Sequence, residues 1–291
     1  MFLIIGGATK SGTTSLHEYL KAHPDISAGR LKELRFFLDD NYPLSKEKFK
    51  QEKIAYKALF EGKNRIMLDS TPDYLYSKNC AKRIKAICGE DVLIVFLLRE
   101  PVSRFLSWFS YAKQIGEISN STTIEEFIAL QKDDYEECNS QVFNVLRQGL
   151  YSLYLKEFYH VFDKNNLSIF EFDELKKNPL KVVATICEKL HASPDVYSSY
   201  VFERKNVTVK VRYPFVNKYY FKLQRITREL IRFSPFLIGV GKKMRKYLDK
   251  IMNVVNTKGD IDSQTSNNEN SIKFLQSYYK SDWSLVKSKY I

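Results

Sequence analysis

Cysteine is scarce in this chain. Four thiols, Cys80, Cys88, Cys138 and Cys187, are scattered through 291 residues. No two have the spacing of a metal-ligand pair, and four are too few for a disulfide framework. Buried free thiols in a reducing compartment are the expectation. Histidine is equally rare, with only His17, His23, His160 and His191, and no metal constellation is visible. Long apolar runs are missing too. The opening run Phe2-Leu3-Ile4-Ile5 stops at Gly6-Gly7, too early for a secretion signal. No later run reaches the ~18 residues that a membrane span needs. The expected location is cytoplasmic, with at most a peripheral contact at the inner face of the membrane.

Acidic residues are nearly absent from one stretch. Between Arg204 and Lys250 stand Glu229 and Asp249 against fourteen lysines and arginines. This segment alone carries +12, equal to the formal charge of the whole chain. Such a field points to an anionic partner: a membrane surface, an acidic glycan or nucleic acid. The plainer reading is a solvated basic face of ordinary helices.

What is present suits a large α/β domain. With 291 residues and 44% hydrophobic content, the chain can bury a core without cross-links. Residues 2–6, 66–69, 92–98 and 167–172 read as strands. Val92-Leu93-Ile94-Val95-Phe96-Leu97-Leu98 is the strongest, an apolar run suited to burial on both faces. Helical patterns fall at 13–22, 46–60, 77–88, 101–114, 123–132, 142–162, 179–190 and 271–289, and 257–270 reads as a polar loop. The alternation predicts a parallel sheet flanked by helices on both faces. Ligands in such sheets bind beyond the carboxyl ends of the strands, where Gly6, Asp69 and Arg99 fall.

The first strand runs into Gly6-Gly7-Ala8-Thr9-Lys10-Ser11-Gly12-Thr13-Thr14-Ser15 and then a helix. Glycines let the backbone approach an anion, N–H groups and the helix start face it, and a lysine adds a full charge. The order differs from the nucleoside-triphosphatase loop, whose lysine follows the second glycine; here Lys10 precedes Gly12. A second strand–helix junction reads Arg99-Glu100-Pro101-Val102-Ser103-Arg104-Phe105-Leu106-Ser107. Pro101 suits a first helical turn, and Arg99 can grip phosphate with its fork. Arg104 is a possible substitute, but a surface ion pair is the plainer reading for it.

The order Lys-Ser-Gly-Thr-Thr resembles the 5′-phosphosulfate loop of sulfotransferases that use PAPS (3′-phosphoadenosine 5′-phosphosulfate), and Arg99 with Ser107 resembles their 3′-phosphate motif. Ser70-Thr71-Pro72-Asp73-Tyr74, Gly149-Leu150-Tyr151 and Glu174-Leu175 through Pro179 resemble further elements of the bacterial and carbohydrate-type members. The likeness covers about residues 2–210. It implies a P-loop-like core over 1–210, with 211–291 a helical, basic and aromatic extension packed on it. It implies PAPS as co-substrate, PAP (adenosine 3′,5′-bisphosphate) as product, and no metal. The cofactor-binding set it implies is Lys10, Ser11, Gly12, Thr13, Thr14, Ser15, Arg99, Ser107 and Arg212. Lys32-Glu33-Leu34-Arg35-Phe36-Phe37 resembles the family's K-E-x-x-F-F stretch, which makes Glu33 the candidate base and Lys32 an assisting cation. Lys10 then stabilises the leaving phosphate.

The implied acceptor is a hydroxyl of a carbohydrate or glycolipid, with residues 204–250 free to touch an anionic membrane. Ser70 departs from the carbohydrate pattern, where a lysine often stands. Two alternatives remain. One is a sulfotransferase for a small lipid or steroid alcohol. The other is a small-molecule kinase with a degenerate loop, for which Asp69 would hold magnesium. A nucleic-acid-binding module would leave both phosphate motifs unexplained, so no nucleic-acid partner is expected.

Overall fold

The structure, a computed structural model, describes residues 1–45, 49, 51–60, 62, 64–134, 140–203 and 268–291. Arg212, Cys138, the basic stretch 204–250 and the division expected at 210/211 lie outside the described residues.

Among the described residues five strands make one sheet: β1 (Phe2–Gly7), β2 (Ile26–Ala28), β3 (Ile66–Asp69), β4 (Val92–Leu98) and β5 (Leu167–Glu171). Their order is β2-β3-β1-β4-β5, and every pairing is parallel. Ile4 lies beside Asp69 and Gly7 beside Phe96. The carboxyl ends of β1, β3 and β4 therefore share one edge. Strands β2 and β3 fall on one side of β1, and β4 and β5 on the other. Such a reversal is where open α/β sheets hold ligands.

Strand periodicity explains the two cores. Val92, Ile94, Phe96 and Leu98 join Phe2 and Ile4 on one face. Helices α3 (Cys80–Cys88) and α6 (Ser152–Val161) cover that face, through residues such as Ile84, Ile87, Leu155 and Phe158. Leu93, Val95 and Leu97 join Leu3 and Ile5 on the other face. There α1 (Thr13–Lys21) and α8 (Pro179–Lys189) supply Leu16, Leu20, Val182 and Ile186. All seven β4 side chains are buried. At roughly 2 kcal/mol for each large apolar side chain removed from water, burial places this strand in the interior of the sheet. Cys80, Cys88 and Cys187 are buried free thiols.

Several expectations need correcting. Strand β2 was not expected: it is three residues long and, among the described residues, pairs only with β3. The helix expected over 142–162 is broken into 3-10 turns at Gln141–Asn144 and Arg147–Gly149 before α6. Within 46–60 the described helix is only α2 (Lys53–Lys57). Phe172 opens a short helix, α7 (Phe172–Lys177), instead of ending a strand. Asn178 then caps α8 by accepting from the Lys181 N–H at 3.1 Å, with Pro179 in its first turn. Residues 269 and 270 begin the last helix, α9 (Glu269–Lys289), and so leave the expected polar loop.

The chain forms two compact units. The first comprises Met1–Phe105, Gln131–Asn206 and Phe274–Ile291, and the second Leu106–Leu130 with Val207–Lys273. In the first, Tyr279 of α9 donates to the Leu146 carbonyl at 2.8 Å. In the second, α5 (Ile124–Ala129) starts with a reciprocal capping box between Thr123 and Glu126. The boundary cuts α4 (Pro101–Ile115) after Phe105.

Candidate active site

The phosphate loop joins β1 to α1. Lys10 and Gly12 both sit at positive φ, 63° and 83°. Gly12 is the residue before the helix and its carbonyl takes the Ser15 and Leu16 N–H groups at 3.0 and 3.3 Å. Among the described residues no side chain caps this end. A β-carbon on Gly12 would stand 2.8 Å from the Phe172 ring. Glycine is thus required twice, by dihedral and by space. Gly12→Ala should lower stability by about 2 kcal/mol or more, from αL strain plus the clash. A urea melt checks this, and a midpoint within error of wild type would contradict it.

Burial, and secondarily the Arg99 charge, push the Lys10 ammonium down to about 8. Among the described residues, Ser11 Oγ is buried without a hydrogen-bond partner. The nearby Tyr151 hydroxyl is committed to the Arg99 carbonyl at 2.8 Å.

Arg99 follows β4 at the same edge. One of its terminal nitrogens donates weakly to the Lys10 carbonyl at 3.5 Å, and its guanidinium lies 5.1 Å from the Phe172 ring centre. The Gly149–Tyr151 element explains itself here. A β-carbon on Gly149 would collide with the Tyr279 ring at 2.4 Å, and Tyr151 fixes the Arg99 backbone. Glu100 occupies the start of α4, accepting from the Val102 and Ser103 N–H groups at 2.9 and 2.7 Å. Ser107 lies on α4 in the second compact unit.

The end of β3 organises the Lys32–Arg35 segment. Ser70 N–H donates to the Lys32 carbonyl at 3.2 Å, and Arg35 N–H to Thr71 Oγ1 at 3.1 Å. The Asp69 carboxylate accepts from Tyr74, Thr71 and Tyr56 hydroxyls at 2.7, 2.8 and 3.2 Å. Burial nevertheless holds Asp69 up, at about 6. Both its oxygens are filled by the protein's own hydroxyls, which is a structural role. Glu33, its side chain 30% exposed, lies between cations: Arg35 at 3.1 Å and Lys32 at 3.6 Å. Its anionic form is the one a general base needs. Asp73 is buried, accepts from the Tyr42 hydroxyl at 3.0 Å, and is held up at about 6 by burial, then by Glu33.

Arg35 was not singled out in the sequence. Its φ of 60° and its contact with Glu33 mark it as part of the site. The signal was its place two residues after Glu33 in the same string. His17 also lies at this corner. It is buried, bonded through Nδ1 to Ser70 Oγ at 2.7 Å, and pushed down to about 3 by burial, then by Lys32. Arg104 corrects an expectation. It is 0% exposed and so is no surface ion pair. It points at Thr9, Val145 and Gln148. Among the described residues no group of histidine, cysteine, aspartate and glutamate could hold a metal ion, and no helix is long and apolar enough to cross a membrane.

The profile of the sulfotransferase domain matches residues 2–215. The chain belongs to the sulfotransferase family. The matched profile is that of a sulfotransferase domain, the family that the loop resemblance implied. A sulfotransferase from Alicyclobacillus acidocaldarius has a similar structure, with TM-score 0.58 and 26% identity, over 66% of this chain and 81% of that one. A Caenorhabditis briggsae bifunctional heparan sulfate N-deacetylase/N-sulfotransferase 1 is 24% identical over 65% of this chain and 22% of its own length. A Dictyostelium discoideum membrane-associated sulfotransferase is 32% identical over 43% of this chain and 25% of its own. The chain spans about a quarter or less of these curated relatives.

The sulfotransferase donor fits the residues present. The buried Ser11 hydroxyl, the partly buried Lys10 ammonium and a helix start that no side chain caps among the described residues form an anion cradle. Arg99 adds a forked cation at the neighbouring strand end.

Proposed function

We propose that this domain is an O-sulfotransferase acting on a hydroxyl of a carbohydrate or glycolipid. One observation carries the reading. Lys10 and Arg99, from separate strand ends, meet through the Arg99–Lys10 contact. A bisphosphate donor needs two cationic sites, and these supply both. PAPS, when bound, contributes an activated sulfuryl group on its 5′-phosphate. Ser11, Gly12, Thr13, Thr14 and Ser15 cradle that phosphate, Lys10 balances the charge on the oxygen left behind, and Arg99 takes the 3′-phosphate. Glu33 accepts the proton of the acceptor hydroxyl, with Lys32 as the assisting cation. Positioning and electrostatics do most of such work. The heparan sulfate relatives support a glycan acceptor. They are N-sulfotransferases by name, which makes an amine acceptor the second reading. A cytoplasmic site, touching the inner membrane face through 204–250, belongs to the same proposal.

Calorimetry tests the donor. Metal-free PAP should bind, and Arg99→Ala should weaken it by about a hundredfold, the scale of a lost bidentate charge contact. Binding of ATP with magnesium but not of PAP would sink the reading and favour a kinase. A labelled-sulfate assay over glycans with free hydroxyls, glycans with free amines, and small lipid alcohols then separates the acceptors.

A further inference from the structure

Arg104 is a cation with nowhere to lose its charge. It sits one turn into α4, entirely buried, and an arginine does not deprotonate in a protein. Its hydrogen bonds are these: Nε to the Thr9 carbonyl at 3.1 Å, one terminal nitrogen to the Val145 carbonyl at 3.2 Å, and the other to Thr9 Oγ1 at 3.1 Å and Gln148 Oε1 at 2.9 Å. The Tyr76 and Tyr151 rings lie 5.5 and 6.0 Å from its centre. Every one of these partners is neutral, and among the described residues no carboxylate pairs with the guanidinium. A buried charge without an opposite charge costs several kcal/mol. Natural interiors retain such a group when something else supplies the compensation.

Two of the four bonds go to Thr9, the residue before Lys10. The guanidinium therefore fixes both the backbone and the hydroxyl at the start of the phosphate loop. In a low-dielectric interior its field also reaches the loop with little screening. We propose that Arg104 is a positioning residue for the phosphate loop, and that its missing counter-charge is the 5′-phosphate held there. It acts through Thr9 and through space rather than by touching the donor. The inference rests on the donor reading above.

The test compares two nucleotides that differ at this phosphate alone. PAP carries the 5′-phosphate and 3′-AMP lacks it. Gln148→Met removes one acceptor from the guanidinium while keeping side-chain length, and Arg104→Lys keeps the charge but loses the fork. Both should weaken PAP by about tenfold, the scale of one charge-assisted bond, and leave 3′-AMP within about twofold of wild type. A general structural lesion would weaken both nucleotides alike, and that result overturns the inference. Unchanged PAP binding in a folded Gln148→Met protein overturns it as well. Should Arg104→Lys fail to fold, the glutamine variant carries the test alone. Wild-type protein that binds no PAP at all removes the donor reading and this inference together, which is a different result from equal weakening.

Discussion

Glu33→Gln should reduce kcat by about 10²- to 10⁴-fold, the usual contribution of a positioned general base, while PAP affinity stays within about threefold. The two halves have separate causes. Glutamine keeps an oxygen for the Arg35 contact at 3.1 Å, so the segment stays in place through Ser70 and Thr71. It cannot take a proton. Steady-state turnover and calorimetry on the same preparation check both. Asp73 is the competing carboxylate, and the structure ranks the two. Asp73 is buried and engaged by Tyr42, whereas Glu33 reaches solvent with 30% of its side chain. An acceptor hydroxyl can meet the second and not the first. Retained turnover in Glu33→Gln, with loss in Asp73→Asn, would reverse that ranking.

The parts of this site that were legible in the sequence are local ones. The phosphate loop is a strand, a turn and a helix in the twenty consecutive residues Phe2–Lys21, so its chemistry sits in one string. Strand β4 was legible because seven apolar residues in a row admit burial on both faces. Strand β2 was not, because Ile26-Ser27-Ala28 is short and owes its conformation to pairing with β3, a contact between residues some forty apart. The segment 142–162 read as one helix because its leucines and tyrosines keep helical spacing. The chain instead breaks at Gly149, where the Tyr279 ring of α9 leaves no room for a side chain.

Arg104 shows the same limit more sharply. An arginine at that spacing on an amphipathic helix reads as solvated. Its partners are carbonyls and side chains of residues 9, 145 and 148, none of which advertises an acceptor in sequence. Asp69 is a parallel case. As a strand-end carboxylate it suited a magnesium ligand, but three hydroxyls from Tyr56, Thr71 and Tyr74 fill it. The pattern is general here: motif chemistry was readable, and the shell that holds each motif in place was not, because that shell is assembled from distant segments.

Lys10→Met should lower kcat by about 10²- to 10³-fold, the scale of one lost charge-stabilising donor. The more specific expectation concerns protons. In the free protein burial and Arg99 hold the Lys10 ammonium down, at about 8. A phosphate in the loop favours the charged form, so the bound value must lie higher. At pH 8 about half of the free molecules lack that proton, and binding must restore it; PAP binding at pH 8 should therefore take up roughly half a proton. At pH 6.5 Lys10 is already protonated, and its share of the uptake vanishes. Affinity for PAP should accordingly fall as pH rises above 8, by at most about tenfold per unit, until the bound value is reached. Calorimetry in two buffers of different ionisation enthalpy measures the uptake directly. Lys10→Met should abolish it, since methionine has no proton to gain. The same uptake in wild type and Lys10→Met would move the coupled proton to another group and remove Lys10 from the phosphate.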